Sequence, residues 1–224
     1  MEIKILQLIE GAKKAEGLTV IIDVFRAFSV EAYLFDQGVS KIIPVGKVEE
    51  AYAYKKDHPN YLLVGERKGK QLEGFDYGNS PSQIQNENLK GKTVVHTTSA
   101  GIQGIVNATH ATKIITGSLV NARAIASYIQ KLDPAYVSLV CMGLEGKWES
   151  EEDTLCAKYI SSLLLNKPFD LKAGIEELKR TSGAKFFDEN DPVFPINDFY
   201  LSTKENLFDF VIEYKDGVMV KVDL

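Results

Sequence analysis

The chain has 224 residues, 45% of them hydrophobic and 25% charged, an ordinary globular composition with ample apolar material for a core. A net charge of −5 without a Lys/Arg block argues against a nucleic-acid partner, whose binding needs a basic footprint. No apolar run approaches a membrane span and no basic-then-apolar leader is visible; Cys141 and Cys156 alone indicate no disulfide framework, so a reducing cytoplasm is the expected setting.

In chain order, Ile3, Ile5 and Leu6 read as a short strand, followed by polar Gln7 and a charged stretch. Gly17 opens an apolar run, Leu18 to Asp23, that ends in an acid and passes into Val24-Phe25-Arg26. From Arg26 to Asp36, Phe28, Ala32 and Phe35 fall near helical spacing, with Gly38 as the stop. Lys41 to Val45 predicts a strand, Val48 to Lys56 an exposed charged helix, and Tyr61 to Val64 another strand. Gly65 to Pro81 is predicted to be the longest loop, glycine-rich and charged, and long loops in compact domains tend to be functional. Ser80-Pro81 has the form of an N-cap with proline at the first helical position, opening a short helix through Ile84.

Thr93 to His96 is a β-branched strand, followed by Thr97-Thr-Ser-Ala-Gly101 and a helix carrying Ile102, Ile105 and Val106. Lys113 to Thr116 leads through Gly117 to Asn121 into an amphipathic helix, Ala122 to Leu132. Val137 to Val140 leads to Cys141 and a loop, 143–150, that holds the single tryptophan, Trp148. Glu152 to Leu165 and Leu171 to Arg180 are helical, and acidic Asp188 to Pro195 reads as a loop. Asp209 to Tyr214 and Val218 to Val222 alternate around Lys215-Asp216-Gly217, a hairpin expected at one sheet edge. The strand-then-helix alternation predicts an α/β fold: a mixed, mostly parallel sheet with helices on both faces and a C-terminal antiparallel hairpin. The chain reads as one domain, 1–224, with a small C-terminal subdomain from about residue 168.

Five of these strands, ending before Val24, Gly65, Thr97, Gly117 and Cys141, pass into small, polar or charged residues. Ligands of open α/β sheets bind outside the carboxyl ends of the strands, so the polar ends can converge. At the 97–101 turn, unpaired amides at a helix start and three hydroxyls suit a phosphate or another tetrahedral oxyanion; the ordinary alternative is an N-cap. Asp23, Glu66, Glu152 and Asp153 are candidate ligands for a hard cation such as magnesium, which takes a few carboxylates and keeps waters. Their ordinary alternatives are helix caps and dipole partners. Arg26 and Arg67 can clamp an anion through two oxygens. Together these groups form a phosphoryl-transfer set. A P-loop and a full dinucleotide fingerprint are absent, and Asp23-Val-Phe lacks the second Asp of aspartyl-phosphate hydrolases. Cys141, at a strand end, is either a nucleophile or a buried, inert thiol, and packed free cysteine is the commoner case.

These stretches together resemble one family: Asp23-Val-Phe-Arg-Ala-Phe-Ser29, Gly65-Glu-Arg-Lys-Gly69, Gly74-Phe-Asp-Tyr-Gly-Asn-Ser-Pro81, Thr97 to Gly101, Gly117 to Ala122 and Glu152-Asp153-x-x-Cys156-Ala157. They are similar to the 2-phosphosulfolactate phosphatase family, from about Ile21 to the C-terminal hairpin. The resemblance implies magnesium-dependent hydrolysis of 2-phosphosulfolactate to 3-sulfolactate and phosphate, on the route to coenzyme M. The chain departs from the family pattern at Ala100, where an asparagine is frequent. The catalytic candidates are Asp23, Arg26, Thr98 and Ser99. Candidate substrate contacts are Arg26, Glu66, Arg67, Asn79, Ser80, Thr97, Ser99, Gly101 and Cys141. Candidate Mg²⁺ ligands are Asp23, Glu66, Glu152 and Asp153. The expected partner is a small anionic phosphorylated acid, with no nucleic acid and no membrane, and a homo-oligomer left open. The alternatives are a non-catalytic binding protein for a small anionic metabolite and a phosphoryl or sulfuryl transferase.

Overall fold

The computed structural model describes residues 1–224. Its strands are β1 (Glu2–Gln7), β2 (Gly17–Ile22), β3 (Lys41–Pro44), β4 (Leu62–Arg67), β5 (Lys70–Gln71), β6 (Thr93–Thr97), β7 (Ala111–Gly117), β8 (Tyr136–Cys141), β9 (Phe210–Lys215) and β10 (Val218–Asp223). Its helices are α1 (Leu8–Lys13), α2 (Ala27–Asp36), α3 (Val48–Asp57), α4 (Pro81–Ile84), α5 (Gly101–Asn107), α6 (Ala122–Leu132), α7 (Glu151–Leu164), α8 (Leu171–Leu178) and α9 (Ile196–Ser202). No helix is long and apolar enough to cross a membrane.

All ten strands form one sheet in the order β1-β8-β2-β7-β9-β10-β3-β6-β4-β5. The first four are mutually parallel, and so are β3, β6 and β4. The hairpin β9–β10 lies between these sets, antiparallel to β7 on one side and to β3 on the other. It is therefore central, which corrects the expected edge position. The reason is burial on both faces: Phe210 and Ile212 enter one core and Val211 the other, as suits an interior strand.

An antiparallel pair inserted between two parallel sets makes those sets run in opposite directions along the sheet. Carboxyl ends from both sets nevertheless border one cavity, and α2 is packed inside the molecule, every residue from Ala27 to Phe35 being buried. Alternation along the strands feeds separate cores. Leu18, Val20 and Ile22 pack toward α6 and α7, while Ile21 packs toward α2 and α5. Ile43, Leu63 and Val95 pack under α3 in a smaller core.

The stretch from Gly65 is not all loop. β4 runs on through Arg67 and turns at Lys68 (φ 54°) and Gly69 (φ 78°) to pair with β5. Left-handed backbone at both turn residues is the geometry of a tight hairpin. The charge and glycine of Gly65-Glu-Arg-Lys-Gly69 conceal this strand end in the sequence. α1 and α9, of 6 and 7 residues, were likewise unanticipated, because so few residues carry little periodicity. After residue 168, α8, a 3₁₀ turn (Ala184–Phe187) and α9 enclose a small aromatic core of Leu178, Phe186 and Phe199. Phe25 joins it, its ring 4.9 Å from that of Phe186. The chain then returns to the middle of the sheet as β9.

Candidate active site

Four of the five polar strand ends meet. A cavity of about 140 Å³ lies beyond β2, β4, β6 and β8, lined among others by Asp23, Arg26, Glu66, Asn79, Ser99 and Glu152. The fifth end, after β7, stays out of it. There Ser118 and Asn121 form a reciprocal capping box, and the Ser118 hydroxyl lies 2.6 Å from that of Ser29.

Asp23 follows β2 and caps α2, its Oδ1 accepting the Ala27 amide at 3.1 Å. The Phe25–Arg26 peptide after it is cis. Gly101 faces Asp23 so closely that a Cβ there would stand 2.9 Å from Oδ2. Close approach of backbone to carboxylate, with no side chain between, is the physical use of this glycine.

The 97–101 turn binds anions, but they are the chain's own. The Ser99 amide donates to Glu66 Oε1 at 2.7 Å, and the Ser99 hydroxyl and Gly69 amide donate to Glu66 Oε2 at 3.2 and 2.7 Å. Thr98 Oγ1 accepts the Ile102 amide at 3.3 Å, an N-cap contact. Thr97 is fully buried and accepts from Arg67 Nη2 at 2.9 Å. In this structure Thr97 braces Arg67, Thr98 supports the start of α5 and Gly101 lies against Asp23, and none of the three lines the cavity. The donors at a helix start need acceptors, and the fold supplies Glu66 and Asp23. Ser99 remains on the cavity wall.

The two arginines also divide. Arg26 lines the cavity yet is only 4% exposed, and Nη1 donates to Asp198 Oδ2 at 2.6 Å and to the Val193 carbonyl at 3.0 Å, while Nη2 donates to the Gly69 carbonyl at 3.1 Å. Asp198 is fully buried, and its Oδ1 accepts from Ser80 Oγ, Ser82 Oγ and the Ser82 amide at 2.9, 2.6 and 2.9 Å. Ser80 is therefore corrected from a substrate contact to a donor to Asp198. Arg67 points its guanidinium at the Glu66 and Gly46 carbonyls and Thr97, bracing the end of β4. It stands outside the main cavity, in an adjoining groove with Lys68, Gln103 and Lys147.

Charge in the cavity is dominated by acids. Burial, reinforced by the Glu66 and Glu152 carboxylates, pushes Asp23 up to about 7, against the opposing pull of the Ala27 and Gly101 amides. Burial also raises Glu152, with Lys185 opposing. Glu152 Oε2 and Asn79 Oδ1 are buried without any hydrogen-bond partner, a costly state that an incoming cation or donor relieves. Asp23, Glu66 and Glu152 thus offer the oxygen donors a hard cation prefers. As they stand, no three acidic, histidine or cysteine side chains are drawn together closely enough to hold one.

Asp153 does not line the cavity and serves as an anchor in this structure. Its oxygens accept the Val24 and Gly143 amides, each at 2.8 Å, tying the ends of β2 and β8 together beneath the cavity. Burial, then the Glu152 and Asp23 charges, hold its carboxyl well above the usual range. Cys141 is also corrected: it is fully buried in the α6–α7 core, and burial first, then Asp153, raises its thiol away from the reactive thiolate. Sequence reading missed two residues outright. Asp198 sits in the first turn of the unanticipated α9, and Lys185 in the 3₁₀ turn before it. Nothing local marks Asp198, because its partners Arg26, Ser80 and Ser82 lie more than a hundred residues upstream, and Lys185 makes no hydrogen bond that a local pattern would signal.

The profile of the 2-phosphosulpholactate phosphatase family matches residues 3–217 of the chain. A protein of Bacillus subtilis named "Probable 2-phosphosulfolactate phosphatase" is 33% identical over 211 residues, covering 92% of this chain and 91% of its own. Proteins of the same name from Caldicellulosiruptor saccharolyticus and Carboxydothermus hydrogenoformans are 37% and 41% identical, over 79% and 73% of this chain and 74% and 68% of theirs.

Proposed function

The chain belongs to the 2-phosphosulpholactate phosphatase family, and from that premise we propose that it is a magnesium-dependent phosphatase acting on a small phosphorylated acid, with 2-phosphosulfolactate as the substrate. The observation that carries the reading is one cavity in which Asp23, Glu66 and Glu152 stand beside Arg26, Lys68 and Lys185. A pure anion-binding protein gains nothing from three carboxylates around its ligand, because like charges repel. Carboxylates beside cations suit a reaction in which a cation and an anion are bound together.

Asp23, Glu66 and Glu152 would hold the magnesium ion, which supplies charge neutralisation of the phosphoryl oxygens when bound. The chain's own groups prepare the rest. The Ser99 and Gly69 amides fix Glu66, and the Ala27 amide fixes Asp23, so neither carboxylate has to reorganise. Phe25 and Phe194 wall one side of the cavity and limit water there. Hydrolysis places the hydroxyl of one water on phosphorus, breaks the P–O ester bond and leaves the water's proton on the departing sulfolactate oxygen.

Phosphate release from 2-phosphosulfolactate by the purified protein tests this. The expected result is turnover that stops in chelator and returns with added Mg²⁺. No release, or an equal rate in chelator, contradicts the reading.

A further inference from the structure

We propose that Lys185 is an anion-binding residue of the cavity, its ammonium group contacting a tetrahedral oxyanion, phosphate or sulfonate, on the substrate. The identity of the reaction rests on the function proposed above; the anion contact is measured apart from it. Lys185 lines the cavity and is half-buried. Its Nζ lies 5.9, 5.5 and 5.1 Å from the ring centroids of Phe25, Phe186 and Phe194. Ring faces hold a cation weakly and supply no oxygen acceptor.

The other cations of this cavity are placed differently. Arg26 shares the Phe186 and Phe194 rings but has a carboxylate and two carbonyls in hand. Lys68 is exposed to solvent at the hairpin turn. Lys185 alone is a partly desolvated cation with neither a hydrogen bond nor an ion pair. A desolvated charge without a partner is unfavourable, and Arg26 beside it adds repulsion. An oxyanion in the cavity removes both penalties. It also explains why a site rich in carboxylates accepts an anionic substrate: Arg26 is already paired with Asp198, while Lys185 faces the Glu152, Asp23 and Asp153 charges without a contact ion pair and keeps its donors for a ligand.

The test compares wild type with Lys185→Gln and Lys185→Arg. Calorimetry measures the affinity for inorganic phosphate and for ethanesulfonate, with and without Mg²⁺, and thermal unfolding is followed alongside. Loss of one charge-assisted contact is expected to weaken anion binding about 10–150-fold in Lys185→Gln, with partial recovery in Lys185→Arg. Tm is expected to change little, since removing a desolvated charge is offset by losing its attraction to the Glu152 carboxylate. Weakening for phosphate alone assigns Lys185 to the transferred group; weakening for sulfonate alone assigns it to the retained end. Unchanged affinity for both anions, or a lowered Tm with affinity intact, overturns the proposal. Lys185-dependent anion binding without any hydrolysis of 2-phosphosulfolactate leaves this inference standing and removes the phosphatase reading; hydrolysis with unchanged anion binding does the reverse.

Discussion

Two buried polar clusters share the wall of one cavity and differ in how fully their atoms are partnered. In the first, Arg26 and Asp198 meet at 2.6 Å, and the remaining Asp198 oxygen takes three donors from Ser80 and Ser82. In the second, Asp23 and Glu152 crowd one another's charge, and Glu152 Oε2 has no partner at all. A satisfied network rigidifies, while an unsatisfied one persists only where something else completes it. The first cluster is scaffold, binding the hairpin turn, the Asn79-Ser80-Pro81 corner and α9 around the cavity. The second is the cluster that the proposed function assigns to the cation.

The comparison breaks most visibly on Asp198→Ala. Removing one partner of a buried pair strands the other, and the loss of stability is expected to be about 3–5 kcal/mol. Chemical denaturation measures it directly. A loss below about 1 kcal/mol, the range of a surface pair, would place Arg26–Asp198 outside the scaffold.

A smaller effect, of opposite character, is expected in the second cluster. The pKa of Asp23, about 7 in the folded chain against 3.8 ordinarily, lies above its unfolded value. Between those values the folded state holds a proton that the unfolded state has released, so this contribution is complete at low pH and lost as pH rises to about 7. Glu152 and Asp153 shift the same way. The stability of chelator-treated wild type relative to Asp23→Asn should therefore fall from about pH 4 to about pH 7 and then level. A difference between the two that is flat across this range would mean that Asp23 carries no such strain.

The reading from sequence divides along the same line. The α/β alternation, the hydrophobic faces, the strand ends carrying Asp23, Glu66 and Ser99 and the acidic helix start carrying Glu152 are legible, because each depends on a local pattern. The position of β9–β10 was not, because a hairpin's turn says nothing about its neighbours; only the burial of Val211 opposite Phe210 and Ile212 does. Arg26 was legible as a cation but not as a partnered one, since Asp198 lies 172 residues away. The amides of the 97–101 turn are legible as donors for an anion, but not which carboxylate of the chain they meet. Whether a helix start is free depends on which carboxylates the fold brings to it, and here Glu66 arrives from β4.

On the proposed function, the Asp23, Glu66 and Glu152 carboxylates, and not the Arg26–Asp198 network beside them, would hold the cation. Titration of Mg²⁺ into wild type, Glu152→Gln and Ser82→Ala tests it most directly. Even an outer contact to a metal is worth about 10–100-fold in affinity, so Glu152→Gln is expected to lose at least that much. Ser82→Ala, which removes only a donor to Asp198, is expected to bind as wild type does. Wild-type affinity in Glu152→Gln, or a loss confined to Ser82→Ala, would contradict the account.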